Sequence, residues 1–275
     1  MREAVEVAAG AGFALSVVRC ADDHRGWSPP EVADGHRLVL VRRGRFRRRS
    51  RGVVADADPA VAYLASPGEE EQFAHPAGGD VCTSVTFSAR RWHQLVADRP
   101  LQAPVYVDGR LDLAHRRAVA SVTDPDFALA EQLLTLVGGA VRSPVTRARP
   151  EDRALVSEAR SAVAADHPSA AGLFSLAELL GVSPYRLSRA FPRELGVSLT
   201  RYRNRVRVGR ALDRLEAGER ELARLAADLG FADQAHLTRT VREHAGKTPA
   251  ALRRLLTRDS PPITHDARPI TRDAL

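Results

Sequence analysis

The chain has 275 residues, 27% of them charged and 44% hydrophobic, and 41 basic against 34 acidic side chains leave a formal net charge of +7. That length suits one large domain or two ordinary ones, each able to bury a core. Two cysteines exclude a disulfide framework, no apolar run reaches the ~18 residues of a membrane span, and the start MREAVEVAAGAG lacks the basic head and apolar core of a secretion signal, so the expectation is a soluble cytoplasmic protein. The charge is uneven. Residues 151–258 hold 19 basic and 13 acidic side chains, whereas residues 1–150 hold 20 and 18. A basic module suits a polyanion.

From residue 13 to residue 88 the text is β-like. Strands are expected at 13–19, 37–43, 45–49, 60–65 and 81–87, with a further one at 104–107. Gly44, Gly52, Asp58-Pro59, Pro67-Gly68, Pro76 and Gly78-Gly79-Asp80 separate them. Many short strands with frequent turn signals argue for a small sandwich or barrel over residues 10–110. The run RRGRFRRRSR at 42–51 reads as a solvated hairpin with Phe46 inward, because alternate strand residues point to opposite faces. Its sharper reading is an anionic effector pocket. Cys20, His24, His75 and Cys82 have the donor types of a Cys₂His₂ metal site. Their C-x₃-H and H-x₆-C spacings are loose, so buried cysteines and surface histidines are expected instead, with no metal and no cofactor.

The period then changes. Residues 111–122 and 124–137 read as helices, the second with Phe127, Ala130, Leu133, Leu134 and Val137 on one stripe and Gly138-Gly139 as its stop. This connector, 111–148, would either cap the barrel or form a dimer surface. The stretch RSPVTRARP at 142–150 has linker composition. A helix is expected at 151–165, stopped by Asp166-His167-Pro168. The polar, Pro-rich tail 259–275 carries a heptad echo, PITHDAR then PITRDAL, and is expected to be disordered.

Between 175 and 254 one pattern occurs twice. Gly181, Leu187, Arg189, Phe191 and Gly196 recur as Gly230, Leu237, Arg239, Val241 and Gly246. In the first copy Ser175 and Glu178 have capping-box spacing, Gly181-Val182 turns, and Ser183-Pro184 starts a second helix. Leu187, Ala190 and Phe191 then face inward, leaving Tyr185, Arg186, Ser188 and Arg189 outside. The second copy has Leu222, Leu225, Ala226 and Leu229 on its supporting helix and Asp233 as an N-cap. Gln234, Ala235, Thr238 and Arg239 are left outside. Outward residues at the start of a second helix are placed to meet base edges in a major groove. One helix, 199–216, joins the heads, with Val208, Ala211, Leu212 and Leu215 on its seam. Some of its arginines (Arg201, Arg203, Arg205, Arg207, Arg210, Arg214) are expected to touch phosphate and others to make structural ion pairs. Thr248-Pro249 caps a last helix.

Enzyme signatures are missing. Gly246-Lys247-Thr248 is no P-loop, since Val241 stands where a P-loop needs glycine and a helix precedes it. There is no HExxH, GxSxG or GxGxxG.

The text LAELLGVSPYRLSRAF…ELGVSLTRYRNRVRVGRALDRL, then LAADLGFADQAHLTRTVREHAGKTPAALRR, resembles the DNA-binding domain of the AraC/XylS family of bacterial transcription regulators. RLVLVRRGRF, VAYLASPGE and GGDVCTSVTFS look like the cupin-type sensor domain of many members. The resemblance implies an α+β two-domain chain: a cupin-like β-barrel with a helical connector, then an all-α double helix-turn-helix domain at 151–258. It implies a non-enzymatic regulator that binds double-stranded DNA in two successive major grooves, with a small-molecule effector, RNA polymerase and a second copy of the chain as further candidate partners. The family's base-contacting positions fall on Tyr185, Ser188 and Arg189, and on Gln234, Ala235, Thr238 and Arg239, with Arg205 added on the joining helix. Arginine can bond bidentately to guanine and glutamine to adenine, while Ala235 offers a methyl contact. Three departures stand out. Pro192 replaces a basic residue and is expected to kink or shorten the first recognition helix. Leu237 and Val241 replace Phe. Ala235 replaces a polar residue. The metal-binding histidines of cupin enzymes and the four-cysteine zinc site of related DNA-repair methyltransferases are absent. The alternatives are a cupin-type metal- or ligand-binding enzyme or sensor, and an effector-independent DNA-binding protein.

Overall fold

The computed structural model describes residues 2–21, 25–96, 104–142 and 149–258. Strands β1 (Arg2–Gly10), β2 (Phe13–Cys20), β3 (Glu31–Val32), β4 (His36–Arg43), β5 (Phe46–Ser50), β6 (Val53–Ala57), β7 (Val61–Ala65), β8 (Glu70–Ala74), β9 (Asp80–Phe87) and β10 (Val105–Tyr106) form two sheets. The larger has the order β1-β2-β9-β4-β7-β10 and the smaller β3-β8-β5-β6. Alternation along the central strands feeds two cores. Leu15, Leu38, Leu40, Val85 and Phe87 face one, and Val18, Val39, Val41 and Cys82 face the other, against Phe46 and Phe73 of the smaller sheet. The period of two puts successive side chains on opposite faces, so a strand buried on both sides serves both.

The strand-rich region followed by an all-α region matches the expected α+β fold class. Four strands, β1, β3, β6 and β8, lie outside the expected set, and the sheet begins at Arg2 rather than residue 10. β1 and β6 are edge strands with few buried positions, so they lack a clear hydrophobic alternation. β8 reads EEQFA, and its Glu71 is buried only because Arg37 and Arg48 pair with it. Nor is 42–51 a hairpin. β4 belongs to the larger sheet and β5 to the smaller, and the chain crosses at Gly44 (φ 75°), where a Cβ would stand 2.4 Å from the Gly79 carbonyl oxygen. Phe46 points inward as expected. Arg48, however, is buried, with its Nε 2.5 Å from Glu71 and its guanidinium over the Tyr63 ring.

Helix α1 (Ala89–Val96), absent from the sequence reading, tucks Trp92 and Val96 under the larger sheet. Helix α2 (Gly109–Ala120) follows, then a π-helical turn (Pro125–Leu129) that runs into α3 (Ala130–Val141). Gly138 and Gly139 do not stop α3. A Cβ on Gly139 would lie 2.8 Å from Leu111, so the glycine lets α2 and α3 pack closely. The wide turn also shifts the helical phase. Leu133 and Val137 are buried with Leu129 and Leu136, while Phe127 is 76% and Leu134 57% exposed. These helices cap the sheet with Leu111, Ala114 and Ala118.

The remaining helices are α4 (Pro150–Ala164), α5 (Leu173–Leu179), α6 (Pro184–Leu195), α7 (Leu199–Glu216), α8 (Leu222–Asp228), α9 (Gln234–Ala245) and α10 (Pro249–Arg258), with a 3₁₀ turn at Pro168–Ala171. α5 starts at Leu173 after Gly172, so Ser175 lies inside the helix and no capping box forms; its hydroxyl donates to the Ser169 carbonyl at 2.8 Å. α6 runs straight through Pro192 to Leu195, as long as α9 at 12 residues. Pro192 is exposed, and the carbonyl it leaves unbonded one turn back belongs to the exposed Ser188, so water can satisfy it. Two joints weld sheet and helices. Ala60 and Val61 sit in the core of the first head, and Leu113 of α2 sits in the core of the second. Most of the linker at 142–150 and the whole tail 259–275 lie outside the described residues.

Candidate nucleic-acid interface

Each head is built the same way. A short helix ends on a left-handed glycine, Gly181 (φ 63°) or Gly230 (φ 70°), and a capped helix follows. Ser183 accepts from the Arg186 amide at 3.2 Å, and Asp233 from the His236 amide at 2.6 Å. Leu187, Ala190 and Phe191 close the first head from behind; Leu237, Thr240 and Val241 close the second. That leaves Tyr185, Ser188 and Arg189 exposed on α6, and Gln234, Ala235 and Arg239 exposed on α9, with Thr238 half-buried. The Arg189 guanidinium lies 5.1 Å from the Tyr185 ring, one turn along the same face.

The joining helix divides its arginines. Arg205 is 1% exposed and turned away from any DNA-facing side, which corrects the expectation of a DNA contact. Its Nε donates to the Val107 carbonyl at 2.6 Å, and its Nη2 to the Pro59 carbonyl and Asp112 at 2.9 Å. A guanidinium with its donors satisfied inside cannot reach a phosphate. Arg210 pairs with Asp166, Arg214 with Glu219 and Asp228, and Arg207 lies over the Phe231 ring. Arg201 is exposed and makes no ion pair among the described residues.

Two charged joints were not legible in the sequence. At the first, Asp112 lies 2.9 Å from both Arg116 and Arg205, and Arg116 reaches Asp213 (2.9 Å) and Glu216 (2.7 Å) on α7. Arg42 of the arginine run joins from β4, paired with Glu216. Burial would raise the Asp112 carboxyl, but Arg116 and Arg205 override it and hold it well below the usual carboxylate range. His115 beside them donates to or accepts from Thr83 at 2.8 Å; burial, with Arg42 adding to it, pushes its pKa down to about 3. At the second joint Arg160 of α4 grips Asp58 at 2.5 Å, and the Tyr202 hydroxyl donates to the same carboxylate at 3.4 Å. The only sequence signal was Asp112 and Arg116 at helical i,i+4 spacing. Between the joints lies a cleft of about 570 Å³ whose lining includes Arg42, Arg43, Arg45, Arg116, Arg205 and Arg210.

Among the expected metal-site residues, His24 lies outside the described residues. His75 is buried rather than at the surface, because the β8–β9 turn folds it onto the barrel wall. Its Nε2 lies 3.0 Å from Asp80, and hydrogen bonds to Asp80 and Cys20 push its pKa up to about 9. Cys82 is buried as expected, and burial pushes its thiol up.

Two glycine-turned helix pairs, each presenting polar residues on a sealed recognition helix and joined by one long helix, define a helix-turn-helix DNA-binding protein. Residues 176–255 match the family model of a helix-turn-helix domain. The chain thus carries a helix-turn-helix domain, a DNA-binding module, over these residues. Among solved structures it is similar to the C-terminal domain of AraT, a response regulator from Geobacillus stearothermophilus, at 29% identity over 40% of this chain and 88% of that one, with a TM-score of 0.35. ToxT from Vibrio cholerae aligns at 11% identity over 90% of this chain and 98% of that one, with a TM-score of 0.38. A cupin superfamily protein from Desulfitobacterium hafniense aligns at 15% identity over 32% of this chain and 78% of that one, with a TM-score of 0.29. No curated protein matches the chain.

Proposed function

We propose that the protein is a cytoplasmic, effector-controlled regulator that reads two adjacent half-sites through Tyr185, Ser188 and Arg189 on one head and Gln234, Ala235, Thr238 and Arg239 on the other. The observation that carries this reading is the matched exposure of these residues over closed cores. The 18-residue helix between the heads spans roughly 27 Å, near the ~34 Å between successive major grooves on one face of DNA. Phosphate contacts from exposed cations such as Arg201 supply salt-dependent affinity, and the recognition helices supply sequence choice. Effector control acts through the joints at Asp58 and Asp112, because a ligand that alters either changes how the heads are held. The exposed Phe127 and Leu134 support a homodimer through α3, and RNA polymerase is the downstream partner. No catalytic role is assigned to any residue.

The test is a mobility-shift titration with operator fragments selected from random DNA. One bound consensus containing two half-sites about one helical turn apart is the expected outcome. Binding without sequence preference would refute the reading.

A further inference from the structure

The barrel interior holds a group of side chains that DNA binding does not use. β2 and β9 pair with Cys20 opposite Asp80 and Val18 opposite Cys82. The period of two therefore points Cys20, Asp80 and Cys82 to the same face, toward the space between the sheets. His75, one residue beyond β8, enters from the smaller sheet. One donor atom each from Cys20, His75 and Asp80 lie within 4.8 Å of one another. All three line a cavity of about 170 Å³.

An ion pair between His75 and Asp80 that staples the β8–β9 turn would account for those two residues alone. It needs no thiol and no cavity. Here a thiol joins the pair, a second one, Cys82, is buried next to Asp80, and the group faces open volume rather than packed side chains. The nearby cations are already spent: Arg2 pairs with Glu31 and Arg37 with Glu71. They add no net charge against a bound cation.

We propose that Cys20, His75 and Asp80 form a binding site for a divalent cation of the zinc class on the inner wall of the barrel. A thiolate, an imidazole and a carboxylate suit a borderline-soft ion. Tetrahedral Zn²⁺, with bonds of ~2.0–2.3 Å, asks for donor spacings of about 3.3–3.8 Å. Three protein ligands leave the fourth position open to the cavity, where water or a small ligand would complete the shell. Cys82 lies outside the three-atom set and is a neighbour rather than a ligand. The site stands on barrel residues alone and is independent of how the heads read DNA.

The experiment uses the full chain, stripped with a chelator. Zn²⁺ is titrated in competition with a chromophoric chelator, and Co²⁺ is added separately as a spectroscopic probe. One equivalent per chain is expected, with the ligand-field bands of tetrahedral Co²⁺ and a thiolate charge-transfer band. Cys20→Ser should abolish the charge-transfer band, and both Cys20→Ser and Asp80→Asn should weaken Zn²⁺ binding at least tenfold. His93→Ala, on an exposed position of α1, should leave it unchanged. Clearly less than one equivalent, no charge-transfer band in the wild type, or Zn²⁺ affinity unchanged in Cys20→Ser would overturn the proposal. Where a variant does not fold, the wild-type stoichiometry and spectrum decide.

Discussion

The two heads share a plan and differ in what stands behind them. The first has an aromatic core, Phe191 against Tyr202, completed by Ala60 and Val61 from the turn into β7. Its recognition helix is further pinned by α4, through Arg153 to Glu194 and Asp152 to Arg193. The second has a smaller aliphatic core around Leu237 and Val241, completed by Leu113 from α2. There Gly109 packs so tightly that a Cβ would lie 2.9 Å from the His244 backbone. A sequence repeat thus builds two similar exposed surfaces, and each is attached to the β domain and its helices by a different element.

The largest test of that difference is Asp112→Ala. It leaves Arg116 and Arg205 buried at the first joint without their carboxylate, so denaturant unfolding should show a loss of about 3–5 kcal/mol. A loss below ~1 kcal/mol would mean that the joint does not hold the domains. Leu113→Ala comes next. Its side chain belongs to α2 yet fills the second head, so a cost of about 2–5 kcal/mol is expected. Hydrogen exchange should then rise in α8 and α9 and not in α5 and α6; equal loosening of both heads would break the contrast.

Arg189→Ala and Arg239→Ala compare the reading surfaces directly. Each should lower operator affinity by ~1–3 kcal/mol and relax specificity at one base position, in different half-sites. Unchanged mobility-shift titrations would remove that arginine from the interface. A last test is pH dependence. His115 stays neutral in the fold to about pH 3, while the unfolded chain takes up a proton near its ordinary value of ~6.5. Stability should therefore fall as pH drops from ~6.5 toward 3, by at most ~1.4 kcal/mol per unit. His115→Gln, which keeps a hydrogen-bonding group for Thr83, should flatten that slope. An unchanged slope would locate the acid sensitivity elsewhere.

Much of the reading surface was legible because its signals are local. Glycine turns, the Ser183 and Asp233 caps and the 3.6 period each act within one or two turns of chain, and α7 fell where expected, at Leu199–Glu216. Arg205 shows the limit. On its own helix it is one of six similar arginines, and only β-domain groups far away in sequence, the Pro59 and Val107 carbonyls and Asp112, make it interior. Pro192 shows the opposite error. The residue type signals a break, yet an exposed position removes most of the penalty.

The sequence by itself determined the class of protein, the two helix-turn-helix units, the residues they present and the strand-rich character of the first part. Periodicity and capping are properties of short segments, so they survive without knowledge of the fold. Only the tertiary structure decided which arginines face inward, that α2 and β7 complete the heads, and that Cys20, His75 and Asp80 meet. Those outcomes depend on contacts between residues distant in the chain, and a buried charge is stable only where such a contact supplies its partner.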